Sequence, residues 1–293
     1  MLKAVVTVGV SASGKTTWAE EFVRKNKNWV NINRDDLRFT LTGAKNWGDY
    51  KFNKSIEHMV TGIQDSMVIH AKAKGKNVII SDTNLNKKFR EDNIQGLKYL
   101  GYSVEVKDFP VDFMEAVKRD THRQRSVGYQ VIWKQWQQWL DYIERKRYIP
   151  NEDLPIAVIC DIDGTIADMK GIRSPFEWNK VGLDNPISVV CDMLYGYDAL
   201  GYQIIIVSGR DGACEQDTRK WLDKNIIPSY ELFMRKEGDP RKDSIVKEEI
   251  FWDNIANRYN VKAVVDDRPQ VLRLWYDLNI PKVINVGNPY IEF

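Results

Sequence analysis

Only three of the 293 residues are cysteine and only three are histidine. Cys160, Cys191 and Cys214 form no Cys-x-x-Cys pair and leave an odd count, which argues against a disulfide framework or a zinc site and for a reducing compartment. His58, His70 and His122 are scattered along the chain, so each reads as structural or exposed. No run of about 18 apolar residues occurs, which excludes a hydrophobic span. The apolar stretch 1–10 leads into a glycine-rich loop with no cleavage-site pattern, so the expectation is an unexported protein of the cytoplasm that does not engage membranes. An excess of one charge is missing too: 43 Lys and Arg face 41 Asp and Glu, giving a net charge of +2. That falls short of the basic footprint of a protein that wraps a duplex, but a nucleic acid gripped only at its end needs no such surplus. Internal repeats and low-complexity tracts are absent as well.

What is present is a chain 43% hydrophobic and long enough for two cores, with two phosphate-handling motifs, each directly after an apolar strand. Strands are expected at 4–8, 29–33, 77–81 and 103–107, with helices between them and a long amphipathic helix at 131–147. The stretch 148–155 carries two prolines and an acidic pair without periodicity and reads as a linker. A second alternating series places strands at 156–160, 203–207, 231–234, 263–266 and 282–286. Strand alternating with helix implies parallel sheets, so the fold class is α/β in two domains, 1–150 and 151–293.

The first motif, Gly9-Val10-Ser11-Ala12-Ser13-Gly14-Lys15-Thr16, is a complete P-loop. Its backbone N–H groups cradle phosphates, Lys15 reaches the outer ones and the Thr16 hydroxyl meets Mg²⁺. Ligands of open α/β sheets bind beyond the carboxyl ends of the strands, so the charged residues there are the ones to inspect. Asp35 and Arg38 follow the second strand, Asp82 and Thr83 the third, and Arg119, Arg123 and Arg125 the fourth. Phosphoryl transfer needs an oriented nucleophile and neutralised phosphate charge, which a carboxylate and an arginine clamp supply. Arg119 and Arg123, spaced i, i+4, would share a helix face as such a clamp. Taken singly, the arginine pair reads as a solvated face and Asp35 as a helix cap; the P-loop on the same sheet edge favours function.

These segments, with Asn31 to Arg38 and Ser81 to Asn86, resemble the phage-type bifunctional polynucleotide 5′-kinase/3′-phosphatase along nearly the whole chain. The resemblance implies that Gly9, Ser11, Ser13, Gly14, Lys15, Thr16 and Thr17 hold ATP, with Arg123 and Arg119 clamping its phosphates. Asp35 would be the general base toward a 5′-hydroxyl, Arg38 would contact the acceptor strand, and Asp82 with Thr83 would line its site. Ser11 and Thr16 stand where that family often has Pro and Ser, and Thr offers the same hydroxyl to the metal.

The second motif is Asp161-Ile162-Asp163-Gly164-Thr165. Two carboxylates two apart on an extended chain point the same way and can divide ester cleavage, Asp161 attacking phosphorus and Asp163 acting as acid and base. Mg²⁺ is expected between Asp161, Asp163 and the Asp266-Asp267 pair, with Ser208 and Lys242 meeting the phosphate oxygens. An acidic turn or a calcium loop is the plain alternative, but a calcium loop wants a third oxygen ligand along the same segment. The ordered set resembles the haloacid-dehalogenase-like phosphatases, and Ser208-Gly209-Arg210 their polynucleotide 3′-phosphatase branch, which makes Arg210 a substrate-binding residue. The stretch 166–185 is too short for a cap domain, so the site is expected to stay open to a polymer end. The partners implied are DNA or RNA ends and ATP, together with a nucleic-acid ligase. Oligomeric state is left open. A small-metabolite kinase fused to an unrelated phosphatase would share the motifs.

Trp133, Trp136, Leu140 and Ile143 fall at helical spacing. They read as packing between domains rather than as a base-stacking platform.

Overall fold

The computed structural model describes residues 1–226 and 229–288; the last five residues assigned to the second domain lie outside the described residues. The chain divides into two compact units, Met1–Arg145 and Lys146–Phe293. The stretch expected as a linker therefore belongs to the second unit. Tyr148 is buried there, its hydroxyl donating to the Tyr259 carbonyl at 2.9 Å and accepting from the Val261 N–H at 2.8 Å.

The first unit runs β1 (Lys3–Val8), α1 (Lys15–Lys25), β2 (Trp29–Ile32), α2 (Arg34–Thr42), α3 (Lys54–Ala73), β3 (Asn77–Ile80), α4 (Lys87–Tyr99), β4 (Ser103–Asp108), α5 (Phe113–Thr121) and α6 (Tyr129–Tyr142). Its strands form one parallel sheet in the order β2-β3-β1-β4. β1 is buried from Ala4 to Val8, as a β-branched run covered by helices on both faces should be. The helix expected at 131–147 begins two residues earlier and stops at Tyr142, with Glu144 in the left-handed region just beyond. Of its tryptophans, Trp139 is buried, and Trp133 and Trp136 pack on Phe113 within the first unit.

The second unit runs β5 (Ile156–Cys160), β6 (Ala167–Asp168), β7 (Asn185–Pro186), α7 (Ser188–Ala199), β8 (Gln203–Ser208), α8 (Glu215–Asn225), β9 (Tyr230–Met234), α9 (Asp243–Ile250), β10 (Asn260–Asp266), α10 (Pro269–Asp277) and β11 (Val283–Asn285). Its parallel sheet has the order β11-β10-β5-β8-β9, with apolar cores on both faces. β5, which carries Asp161 at its end, is central. β6 and β7 make only a small antiparallel pair.

Candidate functional site

In the first unit, β1 delivers the glycine-rich loop to the sheet edge, where Gly14 takes φ 98°, a conformation that favours glycine. No side chain caps α1, so its first N–H groups face outward into a cleft of about 1510 Å³. Lys15 folds over the loop, donating to the carbonyls of Gly9 at 2.9 Å and Val10 at 2.6 Å and to Ser13 Oγ at 3.2 Å. Burial, reinforced by the nearby Arg123 charge, lowers its ammonium to about 7. A cradle of backbone donors with one lysine suits a nucleotide's phosphates. Thr16 and Thr17 line the same cleft, whereas the Ser11 N–H donates to Gln135 Oε1 of α6 at 2.7 Å.

Another wall of this cleft is built from α2. Asn33 caps it by accepting from the N–H groups of Asp35 at 3.0 Å and Asp36 at 3.2 Å, which places both carboxylates in its first turn. They then part company. Arg38 Nη1 donates to Asp35 Oδ1 at 2.7 Å, while Asp36 lies toward Arg125 at 2.8 Å. Arg38 is in turn held by both oxygens of Glu57, at 2.7 Å each, and these hydrogen bonds take the Glu57 carboxyl down to about 2. Asp82 accepts from the Arg34 N–H at 2.8 Å and Gln64 Nε2 at 3.1 Å, and its enclosure pushes it up to about 6. Asp82 thus fixes the start of α2 as well as facing the cleft. Thr83 lines the cleft, and its carbonyl accepts from the Gly9 N–H at 3.1 Å.

Arg119 and Arg123 both line the cleft but do not share a helix face. α5 ends at Thr121, so Arg123 sits in the following turn. Buried Asp120 ties that turn down by accepting from Ser126 Oγ at 2.7 Å and from the N–H groups of Val127 at 3.0 Å and Gly128 at 2.9 Å. Arg119 is half-exposed and paired with Glu115 at 2.7 Å.

In the second unit, Asp161, Asp266 and Asp267 bring one oxygen each to within 4.8 Å of one another, all three residues buried. Such a set of hard oxygen donors fits a divalent cation. Gly164, at φ 81°, lets the loop turn against this cluster; a Cβ there would run into the Asp267 carboxylate. Burial drives the Asp161 carboxyl upward, opposed by the Lys247 ammonium, which donates to Asp161 Oδ1 at 2.7 Å and Asp266 Oδ2 at 3.0 Å. Burial and the Asp266 charge push Asp267 up to about 6. Beside this cluster, Asp163 takes Arg210 Nη2 at 2.6 Å and Arg173 Nη2 at 2.7 Å, both on Oδ1. Buried Asp184 holds the same two guanidiniums, accepting from Arg210 Nη2 at 2.6 Å and Arg173 Nε at 2.8 Å.

Comparison with known proteins matches residues 155–288 to the polynucleotide kinase PNKP phosphatase domain and residues 5–146 to an AAA domain. A protein of Autographa californica nuclear polyhedrosis virus described as a putative bifunctional polynucleotide kinase/RNA ligase is 35% identical over 306 residues, spanning 99% of this chain. The chain belongs to the polynucleotide kinase/phosphatase family. It spans 43% of that viral relative's own length. A protein solved in the Pnkp1/Rnl/Hen1 RNA repair complex is 31% identical, with 98% of this chain and 97% of that chain covered and a TM-score of 0.46. A second structure of the Pnkp1/Rnl/Hen1 complex gives 29%, 99%, 98% and 0.47. A kinase domain of this kind uses ATP, and a haloacid-dehalogenase-like phosphatase domain a divalent metal. No helix among the described residues is long and apolar enough to cross a membrane.

Within the phosphatase domain three expectations need correction. Lys242 is exposed at the start of α9, and the lysine on Asp161 is Lys247, one turn further along, where the helix faces the sheet. The Asp163 carboxylate is not in the three-acid cluster, because two arginines occupy it. Arg210 is fully buried and spends its guanidinium on Asp163 and Asp184, so it anchors the site rather than reaching outward. Ser208 is buried at the end of β8, its Oγ accepting from the Arg210 N–H at 3.2 Å. Sequence reasoning missed Glu57, Arg173, Asp184 and Lys247. Only Lys247 left a trace, as a lysine between Asp243 and Ile250 on the apolar stripe of α9.

Proposed function

We propose that this chain heals nucleic-acid ends, transferring the γ-phosphate of ATP to 5′-hydroxyls in the first domain and hydrolysing 3′-phosphates in the second. The observation that carries this reading is the pairing, within one cleft, of the P-loop with the Asp35–Arg38–Glu57 chain. A phosphate cradle and a carboxylate fixed opposite it are what transfer to a hydroxyl requires. Asp35 would take the hydroxyl proton, Arg38 would hold the acceptor, and Lys15, Arg119 and Arg123 would neutralise the phosphates.

In the second domain Asp161 would attack phosphorus, forming an acyl phosphate as the P–O3′ bond breaks. Asp163 would give its proton to the departing 3′-oxygen and then take one from the water that releases phosphate. Its Oδ1 is saturated by the arginines, while among the described residues Oδ2 accepts only from Arg210 Nε at 3.1 Å, so Oδ2 is the atom to carry the proton. A divalent ion held by Asp161, Asp266 and Asp267, here assigned as Mg²⁺, would screen the repulsion between nucleophile and phosphate. Lys247 would keep Asp161 ionised in its buried setting.

The relatives' descriptions name an RNA ligase and an RNA repair complex, which supports RNA ends as the substrate and a ligase as the partner. A break bearing 5′-hydroxyl and 3′-phosphate cannot be joined until both ends are converted. The setting would be the cytoplasm of an infected host. The test is incubation with labelled ATP and an oligoribonucleotide bearing both ends, beside a nucleoside 3′-phosphate. Labelled 5′ ends and released phosphate support the reading; equal phosphorylation of the nucleotide and the oligomer would point to a metabolite kinase instead.

A further inference from the structure

The segment between α2 and α3 carries three aromatic residues, and the structure treats one of them differently. Trp47 packs on buried Phe39, with ring centroids 5.0 Å apart, and Tyr50 packs edge-on against Trp47 at 5.5 Å. The Tyr50 hydroxyl donates to Glu57 Oε1 at 2.6 Å, the same carboxylate that grips Arg38. This segment is therefore tied through Glu57 and Arg38 to Asp35. Phe52, two residues on and just before the Asn53 cap of α3, lines the same cleft but is 72% exposed, with no aromatic ring against it among the described residues. A lone exposed phenylalanine is ordinary surface. Phe52 differs in standing on the wall of the cleft, two residues from Tyr50, whose hydroxyl is bonded to the Glu57 that grips Arg38.

We propose that Phe52 is a specificity residue of the kinase, a stacking surface for a nucleobase at the 5′ end of the acceptor. This rests on the reading of the cleft as a polynucleotide 5′-kinase. Phosphate and hydroxyl are met by charge on α1 and α2, which cannot tell a nucleotide from any other alcohol. An aromatic face recognises a base of any sequence, because every base has a π-face.

The experiment pairs Phe52→Ala and Phe52→Trp with 5′-hydroxyl oligonucleotides that are intact or abasic at the first, second or third nucleotide. Base–aromatic stacking predicts a loss of roughly 5- to 150-fold in kcat/KM. The wild type should lose this factor when one of the three positions is abasic. Phe52→Ala should lose it on the intact acceptor and nothing further on that abasic one, while Phe52→Trp keeps the wild-type pattern. An unchanged Phe52→Ala, or one that loses equally on all acceptors, overturns the proposal. A wild type that fails on every oligonucleotide would instead overturn the kinase reading and this inference with it. Release of 3′-phosphate and thermal unfolding, measured on the same variants, confirm that they are folded.

Discussion

Asp35 in the kinase domain keeps 47% of its side chain exposed and is oriented by one arginine, whereas Asp161 in the phosphatase domain keeps 8% and lies in a knot of opposite charges. Both follow parallel strands, and both are assigned to phosphate chemistry. The difference matches the roles proposed for the two carboxylates, Asp35 as base and Asp161 as nucleophile. A base needs only to meet one proton at the right place, and phosphoryl transfer leaves the protein little covalent work, so an open cleft with fixed geometry suffices. A carboxylate that itself attacks phosphorus must be stripped of water and yet stay ionised, which demands a buried cation such as Lys247 at its side. The same contrast separates the arginines. Arg119 and Arg123 remain half-exposed around the cleft, while Arg173 and Arg210 have no exposed side-chain surface and hold Asp163.

The comparison is tested most strongly by crossing the two sites. Asp161→Asn should cost phosphatase activity on the order of 10⁶-fold, as removal of covalent nucleophiles does elsewhere. Lys15→Ala should cost the kinase about 10³-fold or more. Each should spare the other activity, and loss of both from either substitution in a folded protein would break the division into two independent sites. A smaller effect separates neighbours on α2. Asp35→Asn should lower kinase kcat by about 10²- to 10⁴-fold, while Asp36→Asn, which loses only a surface pair with Arg125, should stay within a few-fold. Equal losses would mean that the orientation imposed by Arg38 is irrelevant.

The buried cation gives a third test. Lys247→Gln should reduce phosphatase turnover by about 10²-fold or more and stability by about 3–5 kcal/mol, because it strands two buried carboxylates. Lys242→Gln should change neither; steady-state rates and thermal unfolding of the pair decide it. The smallest effect is a pH dependence in the kinase domain. Asp82 has a folded value near 6, above the ordinary 3.8, so its contribution to stability is full below pH 4 and is lost as pH rises through 6. Relative to wild type, Asp82→Asn should therefore gain stability between pH 4 and pH 7, by at most about 3 kcal/mol. Unfolding curves at the two pH values measure the gain, and a constant difference would show that Asp82 is not enclosed.

Both sheets, their strands and both motifs were legible because they depend on local pattern. Buried β-branched runs such as 4–8 and 156–160 alternate with amphipathic helices, and residues adjacent in sequence make a P-loop or an Asp-x-Asp turn wherever the chain lies. The end of α6 was misplaced because periodicity continues past Tyr142 while the backbone does not. What the chain order could not tell is which side chains meet across elements. Lys247 lies within α9 and Lys242 caps its start; which one faces Asp161 depends on how α9 rolls against the sheet. Arg173 comes from an irregular stretch with no pattern of its own, and Glu57 reaches Arg38 only because α3 packs beside α2. Sequence by itself determined two α/β domains and the chemistry each brings, since those are properties of residue type and short-range spacing. The tertiary structure alone decided which charges are buried against one another, because burial and long-range contact, not identity, set whether a charged group is exposed or held in place.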